Sequence, residues 1–201
     1  MTQPPLLTHN NKINILAISG STRAQSSNLD LIKAIADLTA DRFSITIFEG
    51  LSVLPHFNPD LDLDTENAPP AVVNFRQQLQ AADGVLICTP EYAVGVPGTL
   101  KNALDWTVSS MDFSQKPVAL ITAATSGITA HKALLGTLLI IESKITDEMQ
   151  LVVSSVKTKV SKAGKITDPD TLFQVNKLIH AFTDVITGNG VPVYLPAPSA
   201  R

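Results

Sequence analysis

The stretch ILAISGSTRAQSSNLDLIKAI, residues 15–35, changes character twice. Its apolar run stops abruptly at Ser19. Gly20, Ser21, Thr22, Arg23, Ser26, Ser27 and Asn28 follow, and then Leu31, Ile35 and Leu38 recur at i, i+4 and i+7. A short apolar run that gives way to helical spacing reads as a buried strand feeding an amphipathic helix. The turn between them is far more polar than a turn requires.

The same alternation runs through the chain. Strands are expected at Ile13–Ile18, Ser44–Phe48, Gly84–Cys88, Val118–Thr122 and Leu151–Val156. Helical spacing links Val72, Phe75 and Leu79 after Pro69 and Pro70. It links Leu100, Leu104 and Val108 after Pro97, then Leu134, Leu138, Ile141 and Ile145, and last Leu172, Val175, Ile179, Phe182 and Ile186. The first, third and fourth strands are nearly continuous apolar runs, as in strands covered on both faces of a parallel sheet. The pattern predicts a doubly wound α/β domain of five parallel strands in the order 2-1-3-4-5. One domain over residues 1–201 is expected, with loose tails at 1–12 and 188–201. Two connections, Glu49–Pro70 and Lys157–Asp170, are long enough to suggest function or an interface.

Composition narrows the classes. Of 201 residues, 44% are hydrophobic and 16% charged, which argues for a packed core and against disorder. The net charge of −3 and the lack of a Lys/Arg stripe argue against nucleic acid. No apolar run is long enough to span a membrane. MTQPPLLTHNNK lacks the regions of a signal peptide, and the single cysteine, Cys88, can form no internal disulfide, so a reducing cytoplasm is expected. Cys88 sits in a buried-strand pattern and reads as core packing. His9, His56, His131 and His180 show no metal-ligand spacing, and no metal is expected.

In an open parallel sheet, ligands bind beyond the carboxyl ends of the strands where the order reverses, here between the first and third. The loops at those two places are the unusual ones. In the first, Gly20 permits a tight turn, and the N–H groups that open the helix favour an anion. Ser21, Ser26, Ser27 and Asn28 add donors, and Arg23 adds a forked cation suited to phosphate. The plainer reading is that one of Ser26, Ser27 and Asn28 caps the helix while Arg23 is solvated; cap and cradle can coexist. No Gly-Lys-Ser/Thr and no G-x-G-x-x-G is present, which points to a mononucleotide-type phosphate. In the second loop, TPEYAVGVPGTLKN, Pro90 and Pro97 stiffen the backbone, Gly95 and Gly98 allow close approach, and Pro90, Tyr92 and Val96 suit a planar ring. The prolines alone could equally do no more than shape a strand-to-helix turn.

GSTRAQSSN, followed some sixty residues later by PEYAVGVPGTLKNALDW, resembles the NADPH-dependent FMN reductase family, which is flavodoxin-like. LPHFNPDLD and TSG also fall where that family has similar segments. The resemblance implies that Ser21, Arg23, Ser26 and Asn28 hold the FMN phosphate. It implies that Pro90, Glu91, Tyr92 and the backbone through Ala93 line the isoalloxazine, and that Ser126 and Gly127 close the far side. Ala93 stands where the family usually has asparagine and Gly95 where it has serine, so two side-chain hydrogen bonds near the ring are expected to be missing. Glu91 is open between polar anchor and subunit contact, with a general base the least favoured of the three readings. Lys101, Asp105 and Trp106 read as capping and subunit packing, with Trp106 substantially buried.

The activity so implied is an oxidoreductase in which FMN carries hydride from NADPH or NADH, through N5, to a quinone, free flavin or similar small acceptor, in a ping-pong scheme. The flavin supplies the chemistry, so no catalytic side chain is assigned. A homodimer or homotetramer is expected from the same resemblance. Two rivals remain: a flavodoxin-type electron carrier, and a scaffold that has lost its flavin.

Overall fold

The computed structural model describes residues 12–63 and 68–190. Its main sheet is five parallel strands in the order β2-β1-β3-β4-β5. The strands are β1 (Ile13–Ser19), β2 (Phe43–Phe48), β3 (Gly84–Thr89), β4 (Val118–Ala124) and β5 (Gln150–Ser154). The helices between them are α1 (Ser27–Leu38), α2 (Pro70–Ala81), α3 (Gly98–Asp105) and α4 (Ile128–Ile140). Every residue of β3 and β4 is buried, which is why those strands read as unbroken apolar runs. Ile18, Ile87 and Leu120 meet in one core with Leu31 and Ile35 of α1, Phe75 of α2 and Leu134 of α4. Register brings Ser19 level with Cys88, and Thr89 level with Thr122, so the loops after β1, β3 and β4 leave the same edge.

Several boundaries differ from the periodicity. Val108 lies past the end of α3 and is exposed, because the helix stops at Asp105. Ile145 is buried as expected, but not on α4. That helix ends at Ile140, the chain turns through Glu142 (φ 63°), and an isolated bridge between Lys144 and Pro117 carries Ile145 inward. A buried apolar residue at helical spacing therefore reports burial, not helix continuation. Val156 likewise leaves β5. Ser155 turns left-handed at φ 54°, and Val156 opens the one-turn helix α5 (Val156–Lys159). The expected long loop after it is a strap: the antiparallel pair β6 (Val160–Ser161) and β7 (Lys165–Ile166) packs against α1 before α6 (Pro169–Ile186) begins.

The tail expected at 1–12 lies outside the described residues except for Lys12, and of the tail expected at 188–201 only 188–190 is described. Those three are tied back onto α6, since the Asn189 and Gly190 N–H groups donate to the Asp184 carbonyl at 2.7 and 3.1 Å.

The 49–63 segment folds onto α3. Asn102 receives the Phe57 N–H at 2.7 Å and donates to the Pro55 carbonyl at 2.9 Å. Trp106 Nε1 donates to the same carbonyl at 2.8 Å, and Phe57 stands edge-on to the indole at 5.1 Å. Trp106 is thus fully buried within one protomer. Its burial, expected from subunit packing, is achieved by the chain's own loop. Lys101 and Asp105 form an exposed i,i+4 pair at 2.6 Å and cap nothing. Beneath this layer Arg76 of α2 is 3% exposed. It pairs with Asp62 at 2.5 Å, faces Asp112 at 3.9 Å and donates to the Trp106 carbonyl from Nε at 2.9 Å.

Candidate active site

The turn after β1 is built for close approach. Gly20 N–H donates to the Cys88 carbonyl at 2.9 Å, and a Cβ at Gly20 would sit 2.1 Å from Thr89 Oγ1. The glycine is there for space beside β3; its backbone is not in the left-handed region. Ser19 Oγ donates to the Ser21 carbonyl at 3.2 Å, and the Arg23 N–H reaches Ser21 Oγ at 3.4 Å. Ser21 Oγ also lies 3.2 Å from the Tyr92 hydroxyl, joining the two loops. The Arg23 side chain is exposed and makes no salt bridge among the described residues.

The donors of this turn divide into two sets. Ser26 is the N-cap of α1 and accepts the Asn28 N–H at 3.3 Å. Asn28 is buried and points into the fold: its amide donates to the Ala123 carbonyl at 3.2 Å and its oxygen accepts the Cys88 thiol at 3.3 Å. It acts as a strut between α1, β3 and β4. Burial pushes the Cys88 thiol far above the ordinary cysteine range, which keeps it a neutral donor. Ser21 is buried and tied to the Tyr92 hydroxyl, Arg23 is exposed and Ser27 half-buried.

After β3 the chain makes a two-residue hairpin. Tyr92 and Gly95 exchange N–H to carbonyl bonds at 3.0 Å in both directions, with Ala93 at φ 47° and Val94 at φ 60°. Positive φ at both central residues is the geometry that favours Asn-Gly. An asparagine at 93 would therefore have a backbone reason as well as a side-chain one, and β-branched Val94 is strained. Gly98 carries no such demand, since a Cβ there would meet nothing within 4 Å. Glu91 resolves as a polar anchor: its Oε2 accepts the Ala130 N–H at 2.8 Å, capping α4, whose own N-cap is Gly127 at φ 98°. That contact holds the start of α4 against the loop after β3.

Between these loops lies a cleft of about 870 Å³. Ser21, Arg23, Ser26, Ser27, Asn28, Pro90, Glu91 and Tyr92 line it, as the sequence suggests, and Ala123, Ala124 and Thr125 form its floor at the end of β4. Ala93, Ser126 and Gly127 are not on its walls; the loop after β4 reaches the cleft through Thr125 instead. The opposite wall was not legible. It comes from Ser155, Val156, Lys157, Thr158, Val160 and Lys162 of the strap. The only local hint is the length of the connection after β5, because VKTKVSK reads as a solvated alternating segment.

This arrangement fits FMN. The cleft lining combines a hydroxyl-rich turn at the start of a helix, an arginine with no salt bridge among the described residues, an exposed tyrosine, a buried proline and small alanines. Among the described residues no group of His, Cys, Asp and Glu could hold a metal ion, and no helix is long and apolar enough to cross a membrane.

The sequence profile of NADPH-dependent FMN reductases matches residues 13–158. The chain is 32% identical over 161 residues to an NAD(P)H-dependent FMN reductase of Pseudomonas aeruginosa, covering 78% of this chain and 85% of that protein. It is 32% identical over 180 residues to a 2-hydroxy-1,4-benzoquinone reductase of a Burkholderia species, covering 86% and 93%. Among solved structures it resembles the flavoenzyme NAD(P)H:(acceptor) oxidoreductase of Paracoccus denitrificans. That match has a TM-score of 0.72 at 26% identity, over 89% of this chain and 100% of that one.

Proposed function

The chain belongs to the NADPH-dependent FMN reductase family, and from that premise we propose that its cleft reduces quinones with electrons from NADPH or NADH in a ping-pong cycle. It is an NAD(P)H-dependent flavin oxidoreductase with a flavodoxin-like fold. The observation that carries the reading of the site is the single cleft joining Ser21, Arg23 and Ser27 to Pro90 and Tyr92.

Bound in this cleft, FMN would supply the hydride-transfer chemistry between nicotinamide and acceptor. The chain's own task is to bind and orient. Arg23, the Ser21 and Ser27 hydroxyls and the start of α1 hold the phosphate. Ser26 and Asn28 keep that turn in shape from below. Pro90 and Tyr92 flank the ring, while Glu91 steadies the floor through α4. The same cleft would admit nucleotide and acceptor in turn.

The enzyme works as a single flavodoxin-like domain in the cytoplasm, where NAD(P)H is supplied. It assembles as a homodimer or homotetramer through α3 and the segment 49 to 70, whose described part exposes Val53, Leu61 and Leu63, with Val108 and Met111 exposed in the turns just past α3.

The test is direct. Purified protein should be yellow, and should oxidise NADPH with benzoquinone to give parallel double-reciprocal lines. Yellow protein without turnover would make it an electron carrier, and colourless protein that takes up no FMN would make it an empty scaffold. Sedimentation at micromolar concentration showing only monomer would remove the assembly.

A further inference from the structure

The wall supplied by the strap differs in charge from the rest of the molecule. The chain carries a net charge of −3, yet the cleft is lined by Arg23, Lys33, Lys157 and Lys162 against only Asp30 and Glu91. The Glu91 carboxylate is engaged on α4. None of the four cations makes a salt bridge among the described residues, whereas Lys159 of the same segment, which does not line the cleft, lies 4.0 Å from Asp168.

The backbone beneath Lys157 and Lys162 is fixed at both ends. Ser154 Oγ donates to the Ser126 carbonyl at 3.1 Å and the Ser155 N–H to the Thr125 carbonyl at 3.3 Å, tying the strap to the floor. Ser155 sits there at φ 54°, a conformation that disfavours a non-glycine residue. At the far end Gly164, at φ 66°, lies on α1, where a Cβ would be 3.4 Å from Lys33 Cβ and 3.6 Å from the Asp30 carbonyl. The Lys165 N–H donates to Ser161 Oγ at 3.2 Å and holds the hairpin turn. Lys162 and this hairpin lie beyond the residues that the family profile matches.

We propose that Lys157 and Lys162 form a second phosphate-recognising arm of the cleft, facing Arg23 from the opposite wall and taking up a phosphomonoester. Two ligands of the reaction carry that group: FMN at its 5′ end, and NADPH at the 2′ position that NADH lacks. The inference rests on the flavin-reductase reading of the cleft. The strap lysines add charge that a single arginine and neutral hydroxyls do not supply, and they confer preference for the phosphorylated member of a ligand pair.

The experiment compares the full-length protein with Lys157→Gln/Lys162→Gln and with Lys157→Arg/Lys162→Arg. Apoprotein is titrated with FMN and with riboflavin by flavin fluorescence, and holoprotein is assayed for kcat/KM with NADPH and with NADH. Calorimetric titration with NADP+ and NAD+ repeats the second comparison without turnover. The glutamine pair should lower one preference, FMN over riboflavin or NADPH over NADH, by roughly tenfold, and the arginine pair should restore it. A fall in the first ratio assigns the arm to the flavin phosphate; a fall in the second assigns it to the nucleotide. If both ratios stay within about twofold of wild type, or if arginine fails to restore them, the proposal is overturned. A wild-type protein that neither binds FMN nor oxidises NADPH would overturn the flavin-reductase reading itself, and this inference with it.

Discussion

Arg23 and Arg76 show how the same side chain serves two regions of this molecule. Arg23 stands on the turn after β1, exposed and free of any salt bridge among the described residues. Arg76 lies under the 49–63 segment, almost wholly buried, with Asp62, Asp112, Ser109 and the Trp106 carbonyl around it. A cation kept for a ligand stays hydrated and unpaired until the ligand arrives. A cation kept for structure is surrounded at once, because a buried charge without partners is costly. On the proposed reading the charge at the cleft is a binding resource, whereas the charge at Arg76 holds three chain segments together.

The sharpest way to break this contrast is to remove Arg76. Arg76→Ala leaves Asp62 and Asp112 facing each other without a cation and should destabilise the fold by about 3–5 kcal/mol, a fall in Tm of roughly 10 °C in calorimetry. A change of a degree or two would show that this cluster is no more than surface pairing.

Arg23→Ala should do the reverse. Tm should hold, while FMN affinity falls about tenfold to a hundredfold, the loss expected for one charge-assisted hydrogen bond of about 1.5–3 kcal/mol. Riboflavin binding should change far less. Equal losses for both flavins would mean that Arg23 shapes the loop and does not hold the phosphate.

Gly20→Ala probes the space between the two site loops. Its Cβ would collide with Thr89 Oγ1, so a cost of about 1–3 kcal/mol is expected in urea unfolding, with weaker FMN binding alongside. Pairing it with Thr89→Ala should recover part of the loss, and no recovery would place the strain elsewhere.

The hairpin after β3 predicts a gain. Val94→Gly should raise stability by roughly 1 kcal/mol by relieving a left-handed valine, and Ala93→Asn by less. Either change that also alters FMN affinity or quinone rate would connect this turn to the ring.

The smallest effect is a pH dependence. Burial lowers the pKa of His131 below the ordinary 6.5, and a hydrogen bond with Gln150 partly opposes this. The unfolded chain takes up the proton first as pH falls, so the stability from neutral His131 is whole above about 6.5 and is lost below it. His131→Gln should flatten that acid limb in urea melts; an unchanged limb would assign it to other groups.

Much of the site was legible because its logic is local. A polar turn between a buried strand and an amphipathic helix draws attention to itself over a few residues, and the reversal of strand order says which other loop must face it. Asn28 shows the limit of that reading. Its residue type suits a ligand, but its amide turns inward to Ala123 and Cys88, partners 95 and 60 residues away in the chain. Arg76 gave no sequence signal for the same reason: Asp62 and Asp112 are neighbours only after α2 and the 105–116 turns have packed.

The sequence by itself determined the five strands, their parallel order and the two loops that build the cleft, because side-chain periodicity and turn chemistry act over a few residues and need no distant partner. Tertiary structure alone decided that Thr125, and not Ser126 or Gly127, reaches the cleft, and that Ile145 is buried beyond its helix. It alone decided that Trp106 is covered by Pro55 and Phe57 of its own chain. It also turned Lys157–Asp170 into a wall of the site, since a strand pair of two residues a side has no pattern of its own and exists only where α1 offers it a surface.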